Sequence, residues 1–366
     1  MWTEQGDGGV VTADSGQLTA FIDSVCRQMG ADPDVAAAVA GHLVGANAAG
    51  HDSHGVLRLG QYVAELDRGD LAPAARPSVL RRRGACHLVD GHRGFGHFTA
   101  RYASELAMAE AAETGLAAVA IRQCGHIGRL GHYCEEIAAA GMVGLMVVGA
   151  VGPDIGVMAL PGTSRRFLAA NPWALGVPAA DSPVVVDVSM SMLAEGKVSD
   201  AAARGVRLPA GCVVDAAHQP SREPGDYFAG GGLLPLGSPA AGHKGFGLAL
   251  AAALLGGLAT IDDDNPVLAG TQRPPWSTGE AEMSGVFLVV IDPEAFGGRT
   301  AYRESVGDVA RHIAKVEVDD GATVTVPGEP ENRSRALRTG GFDLPSAVAA
   351  QLADIGARFG IPFRPA

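Results

Sequence analysis

The stretch Gly50-His51-Asp52-Ser53-His54-Gly55-Val56-Leu57-Arg58-Leu59 gathers two imidazoles, a hydroxyl, a carboxylate and a guanidinium between apolar helical segments. An imidazole titrates near neutral pH and can give or take a proton. A guanidinium grips a carboxylate in bidentate fashion. A proton donor and a carboxylate clamp are therefore both present within ten residues. The same residues can equally be a polar helix start, with Asp52 or Ser53 as the cap, and the stretch alone does not decide. If a helix opens at this turn, His54 and Arg58, four apart, share one face.

Further chemistry-bearing residues stand at element ends. Gly125-His126-Ile127-Gly128-Arg129-Leu130-Gly131-His132-Tyr133 follows a predicted strand and opens a predicted helix, the place where α/β enzymes set ligand contacts. Gly-His-x-Gly is also plain turn chemistry. The apolar run Val184-Val185-Val186 breaks into Asp187-Val188-Ser189-Met190-Ser191, polar groups that either meet a ligand or cap the segment toward Gly196. Gly242-His243-Lys244-Gly245 stands ahead of an apolar helix, whose first amides together with a lysine can hold a phosphate. Val326-Pro327-Gly328-Glu329 reads as a turn. No GxGxxG at a strand-to-helix turn has an acid about 20 residues on, so the Rossmann fingerprint is absent. P-loop, GxSxG and HExxH motifs are absent too.

The elements that must position these residues follow from periodicity and punctuation. Asp14-Ser15 opens a helix to about Met29, stopped by Gly30. Asp32-Pro33-Asp34 opens an Ala-rich helix to about Asn47, and Val56–Asp67 has helical spacing ended by Gly69. Residues 71–83, with prolines and the run Arg81-Arg82-Arg83, read as a linker. Strands are expected at Cys86–Asp90, Leu116–Arg122, Val143–Val148, Phe167–Ala170, Val184–Val188 and Val286–Ile291. A Gly-rich turn is expected over Asp90–Gly96. Helices are expected at His97–Thr114, Leu130–Ala140, Lys244–Leu258, Tyr302–Val318 and Ser346–Phe359. Asp262-Asp263-Asp264 reads as a solvated loop. Strands and helices interleave irregularly, which points to α+β or mixed α/β. The helical tail can pack back on the first helical unit, making that domain discontinuous.

Bulk properties bound the rest. A chain of 366 residues exceeds what a single core holds, and a net charge of −12 argues against nucleic acid or an anionic membrane as partner. Five cysteines without a CxxC pair argue against a disulfide framework or structural zinc and fit a reducing cytoplasm. The start lacks a basic region and an apolar core, so no signal peptide is expected. The apolar runs around Ala138–Val151 and Gly245–Ala259 read as too short and Gly-broken to span a bilayer.

Taken in order, Ser53-His54-Gly55-x-x-Arg58, His126-x-Gly128, Asn171-Pro172, Asp187-x-Ser189-Met190-Ser191, Lys244-Gly245 and Pro327-Gly328-Glu329 resemble the malate/L-lactate dehydrogenase family, along nearly the whole chain. The resemblance implies a non-Rossmann α+β fold: a helical domain from both chain ends (14–83 and 300–366) and a central mixed-sheet domain that binds the dinucleotide (84–299); the Gly-rich, polar residues 1–13 read as a disordered tail. It implies NAD(H) or NADP(H) as cofactor, a small carboxylate substrate and a homodimer. His54 corresponds to the proton donor, Ser53 to its support, Arg58 to the carboxylate partner and His126 to a second acid/base histidine. Asn171 would touch substrate. Asp187, Val188, Ser189, Met190, Ser191, His243, Lys244, Gly328 and Glu329 would hold the dinucleotide. Two positions depart from the family pattern: Ala170 stands where many members have Thr, and Asn47 where an Asp is expected. The expected reaction interconverts a 2-oxo acid, or a cyclic imino acid, with its reduced form. The rivals are a metallohydrolase with His51, Asp52, His54 and His126 as metal ligands, and a non-catalytic relative that binds a dinucleotide.

Overall fold

The computed structural model describes residues 9–152, 155–260, 283–318 and 324–365. Strand β1 (Val10–Asp14) leads into α1 (Ser15–Gln28), where Asp14 Oδ1 accepts the Gln17 N–H at 2.8 Å. This is an N-cap satisfying an otherwise orphaned donor. Helix α2 (Pro33–Ala48) begins on a proline, whose missing N–H is no loss in the first turn. Asp32 makes no side-chain cap; with Asp34 it pairs with Arg76 instead. Two short 3-10 turns, Asp52–His54 and Val56–Arg58, come before α3 (Leu59–Arg68). The helix expected from Val56 thus starts at Leu59. His54 and Arg58 do not share a helix face, because Gly55 between the turns is extended.

The central region runs β2 (Ser78–Arg83), β3 (Cys86–Gly94), α4 (Gly96–Thr114), β4 (Leu116–Cys124), α5 (Leu130–Ala139) and β5 (Val143–Val151). There follow β6 (Met158–Ala159), β7 (Arg166–Leu168), β8 (Trp173–Val177), β9 (Val184–Val188) and α6 (Glu195–Ala203). Next come β10 (Val213–Val214), β11 (Pro220–Ser221), α7 (Pro224–Phe228), β12 (Gly232–Leu233), α8 (Gly242–Gly256) and β13 (Met283–Ile291). The chain ends with α9 (Arg299–Ala314), α10 (Glu329–Leu337), β14 (Gly341–Pro345) and α11 (Ser346–Phe359).

Twelve strands form one mixed sheet, ordered β11-β10-β12-β6-β7-β5-β13-β4-β3-β2, with β8 pairing β5 and β9 off that path. Strand β13 lies between β4 and β5 and antiparallel to both, while β3 and β4 run parallel. One face is covered by α4 and α5, whose Ala103, Ala107, Tyr133 and Ile137 bury against Val119, Ile121 and Leu288. The other face takes α8. A Cβ at Gly149 of β5 would collide with the Ala252 carbonyl of α8, so glycine there lets helix and sheet approach. Fold class is therefore α+β, as the sequence predicts.

Several expectations are corrected. The tail is a strand from Val10 on: β1 pairs antiparallel with β14, Val10 opposite Pro345 and Asp14 opposite Gly341. Residues 1–8, like Asp262-Asp263-Asp264, lie outside the described residues. The expected linker 71–83 ends in the edge strand β2, and the turn expected at Asp90–Gly96 is largely the end of β3, with a register shift between Asp90 and Gly94. Helix α9 lies along the sheet region, where Arg303 donates to the carbonyls of Ala179 and Ala180. From β14 onward the chain returns to the N-terminal helices: Phe342, Leu344, Leu352 and Ile355 share one core with Leu18, Ile22, Val39 and Tyr62. Helix α8 with its 3-10 extension, Gly242–Ala259, is an 18-residue stretch apolar and long enough by length and composition to cross a membrane, contrary to the sequence expectation. Its Ala249, Ala252, Ala253 and Gly256 are packed inside the protein.

Candidate active site

The loop carrying the first motif is fixed by Asn47 at the end of α2. This residue is 2% exposed. Its Nδ2 donates to Asp52 Oδ1 at 2.6 Å and its Oδ1 accepts the Val56 N–H at 2.8 Å. A Cβ on Gly55 would strike that amide, which is why the residue after His54 has no side chain. Arg338, beyond α10, donates to Asp52 Oδ1 at 3.0 Å and to the Asn47 carbonyl at 2.5 Å. An Asp at position 47 would set one carboxylate against another, so the departure from the family pattern belongs with Asp52.

On this loop Ser53 Oγ lies 3.0 Å from His54 Nδ1. Arg58 is oriented by its own turn: Nε donates to the Ser53 carbonyl at 2.7 Å and Nη1 to Gln61 Oε1 at 2.9 Å. Gln61 in turn donates to Glu65 Oε1 at 2.8 Å. From the other side, the loop between β4 and α5 presents His126, whose Nδ1 is 2.9 Å from the Tyr62 hydroxyl of α3. The rings of His54 and His126 stack with centroids 5.8 Å apart. Both line a cavity of about 390 Å³ that also touches Gln61, Glu65, Gln123 and Pro172. A larger cavity, about 500 Å³ between the end of β13 and α9, is walled by Val143, Ile291, Phe296 and Tyr302 and brings no acid/base pair together.

Electrostatics separate these imidazoles from ordinary surface histidines. Burial, then the Arg58 charge, pushes His54 down to about 4 and holds His126 well below its usual range. Burial likewise lowers His97 to about 3 and His132 to about 4, and keeps His42 well below the normal value. Removing a cation from water is costly in such surroundings, so these rings are neutral at pH 7. Burial also raises the Glu65 carboxyl.

The residues expected to hold a dinucleotide divide into two groups. His243 and Lys244 are exposed at the start of α8, and Val188 is 38% exposed. Gly328 takes φ 98° at the start of α10, pressed against Pro183 and Val185, and Glu329 closes its own turn by accepting the Val326 N–H. Ser189 is half-buried and shares a hydrogen bond with Ser191. The others make contacts within the protein. Met190 is 2% exposed in a core with Met158, Leu168 and Ala253, and Ser191 donates to the Leu193 carbonyl. Asn171, expected on substrate, lines the same cavity as His54 and His126; it is 1% exposed, and its amide accepts the Ala150 N–H and donates to the Ala249 carbonyl, tying β5 to α8. Asp187 accepts the Gly131 N–H at 2.8 Å, capping α5 from a distant strand.

His51 pairs with Glu331 of α10 at 3.0 Å. No three His, Cys, Asp or Glu side chains among the described residues could hold a metal ion. The metallohydrolase rival therefore lacks its ligand set. Sequence reasoning missed Gln61, Tyr62 and Glu65 as site residues, because all three fit the amphipathic pattern of α3. The polar pair Gln61 and Glu65, three and seven residues beyond Arg58, was the available signal.

A family model described as malate/L-lactate dehydrogenase matches residues 13–353. Hydroxycarboxylate dehydrogenase B of Escherichia coli K12 is 32% identical, over 95% of this chain and 94% of its own. Delta(1)-pyrroline-2-carboxylate/Delta(1)-piperideine-2-carboxylate reductase of Pseudomonas putida is 33% identical, over 88% and 89%. Among solved structures, sulfolactate dehydrogenase from Methanocaldococcus jannaschii superposes with a TM-score of 0.84 at 27% identity, covering 96% of this chain and 98% of that one.

The neutral histidine cluster predicts an acid-sensitive fold. The folded pKa values of His54, His97 and His132 lie below the usual 6.5, so the unfolded chain takes up protons first as pH falls. Stability is full above 6.5 and drops between 6.5 and 4, by about 1.4 kcal/mol per pH unit for each proton. Thermal unfolding midpoints measured from pH 8 to pH 4 should be flat above 7 and fall steeply below 6.5. A midpoint independent of pH down to 4.5 would mean that these rings are solvated.

Proposed function

Because the chain belongs to the malate/L-lactate dehydrogenase family of NAD(P)-dependent oxidoreductases, we propose that it interconverts a small 2-oxo acid and its 2-hydroxy acid, with His54 as proton donor and Arg58 as carboxylate clamp. The supporting observation is the meeting of His54 and His126 in one cavity beside a guanidinium with Nη2 uncommitted among the described residues. A cyclic imino acid is the second reading, carried by the 33% identical Pseudomonas putida reductase.

The residues present suit a nicotinamide dinucleotide, which supplies the hydride when bound. Lys244 and the first turn of α8 offer a cation and helix amides to a diphosphate. Val188, Ser189, His243, Gly328 and Glu329 would complete its contacts, and Asp187 would act through α5.

Within the cavity the substrate carboxylate would lie on Arg58, fixing the carbon for reaction. Its neighbouring oxygen would face His54 and His126. Ser53 Oγ holds His54 by Nδ1, leaving Nε2 to move the proton. In the oxidising direction the neutral His54 is already a base. In the reducing direction the negative charge of the bound carboxylate favours its protonated form, so His54 takes a proton from solvent as the substrate binds and passes it to the developing alkoxide.

The exposed Leu248, Leu250, Leu254 and Leu258 of α8 and its 3-10 extension support a homodimer, since a row of large apolar side chains is more stable covered. The five cysteines are free, which supports a reducing cytoplasmic location.

Replacing His54 by Ala should lower kcat for 2-oxo acid reduction by about 100-fold or more, while NADH still quenches intrinsic fluorescence on binding. Turnover within a few-fold of wild type would remove His54 from the donor role. Arg58→Lys should raise KM roughly tenfold through loss of the fork geometry, and an unchanged KM counts against the clamp. Leu254→Glu should shift sedimentation from dimer to monomer; a monomeric wild type would refute the assembly.

A further inference from the structure

Behind the cavity, the Tyr62 hydroxyl lies between two imidazoles, 2.9 Å from His126 Nδ1 and 3.2 Å from His97 Nε2. Tyr62 and His97 are each 1% exposed. A phenol carries one proton, so it donates to one ring and accepts from the other. Two arrangements satisfy that rule. In the first, His97 Nε2–H donates to the phenol, the phenol donates to His126 Nδ1, and His126 carries its own proton on Nε2. In the second the direction reverses, His97 and His126 are both protonated on Nδ1, and His126 Nε2 is bare.

His97 Nδ1 decides between them. It is buried without a hydrogen-bond partner. The second arrangement would make it an orphaned buried N–H, the rarest kind of unsatisfied group; the first leaves only an unused lone pair. Doubly protonated rings are excluded by the same burial, which holds both far below their usual range.

We propose that Tyr62 and His97 are positioning residues that hold His126 as the Nε2–H tautomer, so that the ring offers the cavity a hydrogen-bond donor and not a base. This rests on the reading of His126 as a substrate-facing group. It also sharpens the substrate class. A 2-oxo acid presents a carbonyl oxygen that accepts from this N–H. A protonated cyclic imine presents an N–H of its own, and donor would meet donor. His126 therefore polarises the carbonyl while His54 moves the proton, and the site favours 2-oxo acids over cyclic imino acids.

The tautomer is read directly by long-range ¹H–¹⁵N correlation of the histidine rings in ¹⁵N-histidine-labelled protein. Wild-type His126, assigned with His126→Gln, should show a protonated Nε2. Isosteric Tyr62→Phe should shift the signal toward a tautomer mixture. Tyr62→Phe should also lower kcat for 2-oxo acids about 10-fold with KM changed less than threefold. His97→Gln, whose amide can still donate to the phenol, should keep the wild-type tautomer, whereas His97→Leu should not. A wild-type ring protonated on Nδ1, a Tyr62→Phe spectrum identical to wild type, or a wild-type kcat/KM higher for piperideine-2-carboxylate than for 2-oxo acids would each overturn the proposal. Absence of turnover on both substrate classes, with the predicted tautomer present, would instead refute the proposed reaction.

Discussion

The two hydrogen bonds of the Asn47 side chain are what the candidate site depends on. They run from one buried amide to both ends of the loop between α2 and α3, to Asp52 and to the Val56 N–H. The backbone bonds within this loop are short-range, each closing its own 3-10 turn, and none of them ties one turn to α2. With Asn47 in place, Ser53, His54 and Arg58 leave that loop in fixed directions, and Arg58 can then bond the Ser53 carbonyl and hold itself. The amide donates an N–H to the carboxylate and accepts the backbone N–H on its oxygen, which a carboxylate at this position could not do. The Asn at 47 and the carboxylate at 52 are therefore one choice made at two positions.

Once the loop is fixed, burial sets the chemistry. Five histidines from four elements or their flanking loops stand close together, with ring centroids 4.5 to 6.1 Å apart along the contacts His42–His132, His42–His97, His97–His126 and His54–His126. Were several of them charged, like-charge repulsion would open the cluster. Kept neutral, they pack as flat polar rings that still own donors and acceptors. That makes tautomers, not charges, the variable that orders the cluster. His42 illustrates it: its Nε2 accepts the Arg129 N–H at 2.8 Å, so its proton sits on Nδ1.

What could be read from the sequence tracks where the physical signal is local. Helices α1, α4, α5 and α11 show apolar spacing or clear stops, and their bounds agree with expectation to within a residue or two. Helix α10 was invisible because none of its residues is buried, so it has no apolar period to find. Strand β1 was invisible because its partner lies more than 300 residues away. In the site, His54 and His126 were legible as titratable residues in glycine-rich turns. The burial of Met190 and Ser191 was not legible, because a strand that breaks into polar residues looks the same whether it meets a ligand or folds into a turn. Tyr62 was read as core, and by burial it is; its hydroxyl gains meaning only from two rings brought from β4–α5 and α4.

The seam between the helical unit and the sheet is polar where the site lies, and this bears on how a non-Rossmann chain achieves a fixed geometry. Arg129, 3% exposed, pairs with Glu135 of α5, which Arg335 of α10 holds from the helical side at 2.5 Å. His42 of α2 bonds the Arg129 backbone, and Tyr62 of α3 bonds His126. Apolar contacts would tolerate a sliding of one body over the other, since they are not directional. Hydrogen bonds between buried groups do not, because each lost partner costs about 1–3 kcal/mol. The proposed reaction, with its proton from one body and its hydride from the other, would need that rigidity more than any particular nucleotide-binding motif. The glycine-rich strand-to-helix turn of other dehydrogenases fixes cofactor against sheet; here the polar seam fixes the His54 loop against the cavity that His126 lines.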